Sequence, residues 1–295
     1  MNPPRLFEPR VVRAHKKRAA NGFAEAAFLH KRSASDLSER LEAIPRKFER
    51  VLLLGCPALV WTELAARAEL AARLGACVHA DVIDASVVLE HDRLPFADAS
   101  FDLIVAPLFL HWANDLPGAL TLLRRALRPD GLLLASLFGT DTLHELRHAL
   151  LAADTMVTGG AGPRIAPFAD MRDTAHLLQR AGFALPASDR DEVKVRYREF
   201  LRLLYDLRAM GETAALVDRS PRALSRRLLA QAERSYRQAH SDDENRLVAT
   251  FEIVTLTGWA PHESQQKPLK PGSAATRLAD ALGVSELSSG EKAGS

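Results

Sequence analysis

The stretch Val51-Leu-Leu-Leu-Gly-Cys-Pro-Ala-Leu59 opens with four apolar residues and breaks at a glycine. A short apolar run without polar alternation reads as a strand buried on both faces, as in a parallel sheet. Upstream, Asp36-Leu-Ser-Glu39 is a capping-box-like start for a helix to Ile44, which Pro45 ends. Downstream, Trp61 to Leu74 has helical spacing, and Gly75 is a natural stop. Cys77-Val-His-Ala80 reads as a second strand, Val87-Val-Leu89 as a weak third and Phe101-Asp-Leu-Ile-Val105 as a clear fourth. Asp115 caps a helix through Leu127, and Pro129-Asp-Gly131 is a turn. Leu132 to Leu137 is another strand, after which Asp141 is expected to cap a helix to about Ala153. Residues 154–169 read as loop, and Asp170 opens a helix that stops at Gly182. Glu192 to Tyr197 alternates as a half-exposed strand does. Glu199–Met210 and Arg222–Ala239 look helical, and Thr250 to Leu256 is the last strand.

This alternation predicts an α/β protein, with a mostly parallel twisted sheet covered by helices on both faces. Val51–Leu54 should be central, between Cys77–Ala80 and Phe101–Val105. The last two strands lack the crossover pattern of the earlier ones, so the sheet should end antiparallel. The span from Asp81 to Glu90 is too short for a crossover helix, which makes a regular helix there unexpected. The organisation expected is a basic N-terminal helical arm (1–48), one domain (49–262) and a polar, partly disordered tail (263–295). A helical insertion at about 198–245 should cover the carboxyl edge of the sheet.

With 295 residues, 47% hydrophobic and 26% charged, the chain can bury a large core. No apolar run approaches the ~20 residues of a membrane span. The N-terminus lacks the apolar stretch of a secretory signal, and the two cysteines, Cys56 and Cys77, are too few for a disulfide framework. A cytoplasmic protein is expected. Residues 1–50 hold twelve Lys and Arg against six Asp and Glu, peaking at Arg10, Arg13, Lys16, Lys17 and Arg18. This suits either a solvated helix face or an arm that touches an anionic surface, such as the inner membrane. No aromatics are interleaved for base stacking, so no nucleic-acid partner is expected.

Several segments carry a family resemblance. Leu94-Pro-Phe-Ala-Asp-Ala-Ser-Phe-Asp-Leu-Ile-Val105, with Pro129-Asp-Gly131 before an apolar strand, resembles the class I S-adenosylmethionine-dependent methyltransferases, a Rossmann-like superfamily. More specific are Leu110-His-Trp112 with Asn114-Asp-Leu-Pro117, and Phe138-Gly-Thr-Asp-Thr-Leu-His-Glu-Leu-Arg147. Ile165-Ala-Pro-Phe168, His176-Leu-Leu-Gln-Arg-Ala-Gly-Phe183 and Gly258-Trp-Ala-Pro-His-Glu-Ser-Gln265 complete the set. From about residue 5 to residue 275 the chain resembles the respiratory complex I assembly factors that hydroxylate an arginine. Malonyl-carrier-protein methyltransferases are more distantly similar. The resemblance implies a protein client, a subunit of NADH–quinone oxidoreductase.

It also implies a cofactor site, from which this chain departs. The family's first strand ends in an acid followed by a glycine-rich loop, which lets backbone approach S-adenosylmethionine. Here the acid is Leu53, and glycines are replaced by Pro57 and Leu59; Gly55 survives. Asp81 takes the position of the ribose-binding acid, with Asp84 as a second register, and Glu90 that of an adenine-facing one. The loop changes predict weak or lost binding, which Leu53→Asp with Pro57→Gly and Leu59→Gly should strengthen if Asp81 and Glu90 still line the pocket. Asp141, Glu145 and Arg147 are candidate substrate contacts, because a carboxylate pair can hold a guanidinium. Equally, Asp141 can be a helix cap and the others a solvated face. His111 and Trp112 sit at the same sheet edge, and His262 and Glu263 could fold over it. His144-Glu-Leu-Arg-His148 matches a zinc-hydrolase pattern, but no third ligand follows and the family stretch explains its Glu and Arg. No two-histidine, one-carboxylate set that would hold an oxidising iron stands out. Three functions stay open: an arginine-modifying complex I assembly factor, a genuine methyltransferase, and a non-catalytic assembly scaffold.

Overall fold

The computed structural model describes residues 5–160, 162–219 and 224–265. Residues up to Pro261 form one compact unit. Most of the expected C-terminal tail lies outside the described residues.

The chain begins with helices α1 (Pro9–Ala19), α2 (Phe23–Ala26) and α3 (Phe28–Glu42), followed by strand β1 (Phe48–Leu54). Helices α4 (Ala58–Leu64) and α5 (Ala68–Ala71) lead to β2 (Leu74–Asp81) and β3 (Val87–Val88). After β4 (Phe101–Ala106), a short 3-10 turn at Leu110–Trp112 precedes α6 (Leu116–Ala126) and β5 (Leu127–Phe138). Next come α7 (His144–Thr158), α8 (Met171–Arg180) and β6 (Ala184–Tyr197), then α9 (Phe200–Met210), α10 (Arg226–His240) and β7 (Leu247–Trp259). The sheet runs β3-β2-β1-β4-β5-β7-β6. Its first five strands are parallel, and β7 is antiparallel to both β5 and β6.

As expected, β1 is central between β2 and β4, because its apolar side chains need cover on both faces. Leu52 and Leu54 pack with Ile104 and Leu133 in one core cluster. Val51 and Leu53 pack with Leu103, Val105 and α3 residues in the other. Between β2 and β3 there are only bends, so the crossover helix is missing, as the spacing predicts.

Several element boundaries differ from expectation. Helix α3 begins eight residues before Asp36, at Phe28. The expected Trp61–Leu74 helix is broken into α4 and α5, and Leu74 is the first residue of β2, opposite Phe48 of β1. Gly75 therefore lies in a strand; a Cβ there would come 2.5 Å from the Glu49 carbonyl oxygen. Pro129-Asp-Gly131 falls inside β5 as an irregularity: Phe101 pairs with Leu127, but Leu103 with Leu132. Asp141 does not cap α7, which starts at His144 behind Leu143 in the left-handed region (φ 56°).

The N-terminal segment is tied into the unit. The Leu6 and Phe7 N–H groups both donate to Asn114 Oδ1, at 2.8 and 2.7 Å. Phe7 meets the Trp112 ring edge-on at 5.1 Å, and Glu8 N–H donates to the Ala215 carbonyl. Helix α1 is thereby fixed against the chain that follows α9.

Candidate functional site

Two cavities lie at the carboxyl edge of the parallel strands. The larger, about 680 Å³, is lined by Gly55, Cys56, Pro57, Asp81, Ser86, Lys16 and His30 among others. Gly55 ends β1 with φ +61°, and an added Cβ would come 2.5 Å from the Phe109 ring, so only glycine fits. The two sequence candidates Gly55 and Asp81 are thus brought together. Glu90 is not: it lines a separate surface depression with Asp92 and Asn114 and faces Arg93 at 3.9 Å. Leu53 is fully buried in the apolar cluster with Cys56 and Val60. Leu59 is not among the residues that line the cavity. Pro57 lines it, and its φ of −58° and ψ of 161° end the loop directly before α4. Burial raises the Asp81 carboxyl above its usual range, which the Lys16 charge and the Val82 N–H partly offset.

The second cavity, about 390 Å³, has apolar walls from Leu143, Leu146, Ile165, Phe168 and Leu207, and reaches Trp112 and Glu212. Leu201 and Tyr205 of α9 also line it and are 47% and 62% exposed. Glu212, which follows α9, holds Trp112 at this cavity and His111 beside it. His111 Nε2 lies 2.9 Å from Glu212 Oε2, and Trp112 Nε1–H donates to the same oxygen at 3.0 Å. The Lys16 ammonium donates to Oε1 at 3.0 Å, and His30 Nε2 stands 3.6 Å from that oxygen. Burial opposes the charge on Glu212, but Lys16 first and His111 next hold it well below the usual carboxylate range. Burial also opposes the Lys16 charge, which Glu212 and then Asp81 raise above the usual value. A buried ion pair therefore stands between the two cavities, its cation on the wall of one and its anion on the wall of the other.

Glu212, Lys16, His30 and His91 were not site candidates in the sequence. Their one signal is weak: Gly211 ends α9 with φ +81°, leaving a lone acid beside an apolar helix end. His91 is 4% exposed and tilted against Phe109, with ring centroids 4.4 Å apart. Burial, then Lys16, lower its pKa to about 3 from 6.5. Below about pH 6.5 the unfolded chain takes a proton that the folded chain refuses, so stability falls as pH drops toward the folded value. His91→Phe should remove about 2 kcal/mol of the stability difference between about pH 7 and about pH 5. Urea unfolding at both pH values checks this, and an unchanged difference would rule out His91 as its source.

The other candidates lie elsewhere. Glu145 is 3% exposed and accepts from the Thr250 N–H and hydroxyl, tying α7 to β7. The Asp141 carboxylate is exposed, 3.7 Å from Arg190. Arg147 donates to the Thr140 and Thr142 carbonyls. All three line a surface depression with His144, His148 and His240, and not the cavity of Glu212. Among the described residues no group of three or more His, Cys, Asp or Glu is arranged to hold a metal ion. The imidazoles of His148 and His240 stack at 5.7 Å instead. His262 Nδ1 bonds locally to the Ser264 hydroxyl.

A methyltransferase-domain family profile matches residues 60–135. The arginine-hydroxylase NDUFAF5 of Rattus norvegicus, a mitochondrial protein, is 33% identical over 304 residues, covering 97% of this chain and 87% of the relative. The chain belongs to the NDUFAF5 arginine-hydroxylase family. It is also 33% identical to a malonyl-[acyl-carrier protein] O-methyltransferase of Halorhodospira halophila, over 90% of this chain and 94% of that protein. In fold, the crystal structure of YcgJ from Bacillus subtilis superposes with a TM-score of 0.51 at 14% identity, covering 77% of this chain and 98% of that one. This member of the NDUFAF5 family therefore has a methyltransferase fold. Among its described residues no helix is long and apolar enough to cross a membrane.

Proposed function

We propose that the chain is an assembly factor of NADH–quinone oxidoreductase (complex I) that modifies an arginine of one of the complex's subunits. Glu212 carries this reading. It is a buried, ionised carboxylate on the wall of an apolar cavity that the exposed Leu201 and Tyr205 also line. A long side chain with an apolar stem and a cationic end suits that shape. Leucines would pack along the stem, and Glu212 would give a guanidinium charge-assisted hydrogen bonds. Trp112 and Phe168 line the same cavity, where a ring face would add a cation–π contact to that group. Hydroxylation converts a C–H bond of that arginine to C–OH, a two-electron oxidation; dioxygen with a two-electron reductant, or a peroxide, would enter as further substrate, its other oxygen atom leaving as water.

The larger cavity suits S-adenosylmethionine. His30 is 1% exposed; its Nε2 faces Glu212 at 3.6 Å, beyond a hydrogen bond, and its Nδ1 has no hydrogen-bond partner, so polar capacity on that wall is unused. Gly55 allows close backbone approach, and Asp81 can accept hydrogen bonds from ribose hydroxyls. When bound, the cofactor carries a methyl group activated on a sulfonium, which the hydroxylation itself does not consume. We read the chain as cytoplasmic and peripheral to the inner membrane. The exposed Arg10, Lys17 and Arg18 of α1 would face anionic headgroups, and sedimentation with anionic and with neutral vesicles tests this.

Ala214 lines the smaller cavity, so Ala214→Trp should fill it. Client-peptide binding should weaken about tenfold or more, while S-adenosylmethionine binding stays unchanged; calorimetry with each ligand checks both. The overall role is tested by deleting the gene. Assembled complex I and its NADH–quinone activity in membranes should fall, and return with the natural chain. Unchanged complex I levels would contradict the role.

A further inference from the structure

The loop after β1 has lost the acid and glycines that grip the amino-acid end of the cofactor, yet the cavity beside it is large and partly polar. Its polar groups come from elsewhere in the chain. Lys16, on α1, is 16% exposed and lines the cavity. Among the described residues its one hydrogen-bond partner is Glu212 Oε1, at 3.0 Å. An ammonium has three donors, so two are left over. His30, on α3, lines the same wall with its Nδ1 unpartnered. Asp81 lies on the same cavity and its charge reaches Lys16. The cavity thus offers donors and a positive charge from Lys16 and His30, and in Asp81 an acid suited to hydroxyls.

We propose that Lys16 on the N-terminal helix, steadied by Glu212 and flanked by His30, binds the carboxylate of S-adenosylmethionine in place of the lost loop contacts. This rests on the reading of the larger cavity as the cofactor site. The ammonium gives the carboxylate a charge-assisted hydrogen bond without leaving Glu212. His30 can add a donor in its neutral form when Nδ1, the nitrogen turned away from Glu212, carries the hydrogen. The N-terminal helix is then part of the cofactor site.

The test is calorimetric titration of the full chain with S-adenosylmethionine, S-adenosylhomocysteine and methylthioadenosine. The last keeps the adenosyl group but lacks the amino acid. Lys16→Met should weaken the first two at least tenfold and methylthioadenosine less than twofold. Lys16→Met alone leaves Glu212 without its lysine cation, so Lys16→Met with Glu212→Gln is run beside it, with thermal melting as the check of folding. The double variant should show the same selective loss. Equal loss for all three ligands, or no loss in a folded variant, would overturn the assignment of Lys16 while leaving the cavity reading in place. No binding of any adenosyl compound by the natural chain would overturn both.

Discussion

Glu212→Leu should destabilise the protein by about 3–5 kcal/mol, the usual effect of breaking one half of a buried ion pair. The carboxylate side chain is 4% exposed, and the variant would strand the Lys16 ammonium and the donors of His111 and Trp112. Because these partners come from α1 and from the chain after β4, the loss should loosen both the arm and the insertion. Equilibrium urea unfolding measures it. Lys16→Met added to Glu212→Leu should recover part of the loss, since it removes the stranded charge. A single-variant loss under about 1 kcal/mol, the size of an exposed pair, would mean that the ion pair is not desolvated.

Leu53→Asp should destabilise by about 4–6 kcal/mol. Burying a leucine contributes about 1.5–3 kcal/mol, and placing an unpartnered polar group there costs roughly 2 kcal/mol or more. Leu53 is 0% exposed and packs between Val51, Cys56 and Val105. The sequence alone suggests the opposite, that an acid here would restore cofactor binding. In the structure that side chain faces the core, and Leu59 lies outside the cavity lining. Leu53→Asp with Pro57→Gly and Leu59→Gly should therefore melt lower and bind S-adenosylmethionine no better. Tighter binding by the triple variant at unchanged stability would overturn this.

What could be read from the sequence was what short-range chemistry controls. The strands at Val51–Leu54 and Phe101–Val105 are apolar runs that only a two-sided core satisfies. Asp115 and Asp170 cap their helices as read, accepting from Gly118 N–H and Arg172 N–H. The long helix expected from Trp61 fails because strand pairing overrides propensity: Leu74 is taken up opposite Phe48. Asp141 is not a cap because the chain turns at Leu143 and α7 starts only at His144; its backbone N–H bonds instead to Glu252 of β7, 111 residues away. The ion pair between the cavities is the least legible part. Lys16 looked like one more cation on a solvated face, and Glu212 is 101 residues from His111. No local pattern marks side chains that meet only after the sheet has closed.

The most direct measurement is the mass of arginine-containing peptides from the subunits of assembled complex I. They would be taken from cells with the natural chain, without it, and with Glu212→Gln after its folding has been checked by melting. The account predicts one subunit arginine that is heavier by a single oxygen atom with the natural chain, and unmodified in the other two. An arginine heavier by a methylene group, or the same mass in all three, would contradict it.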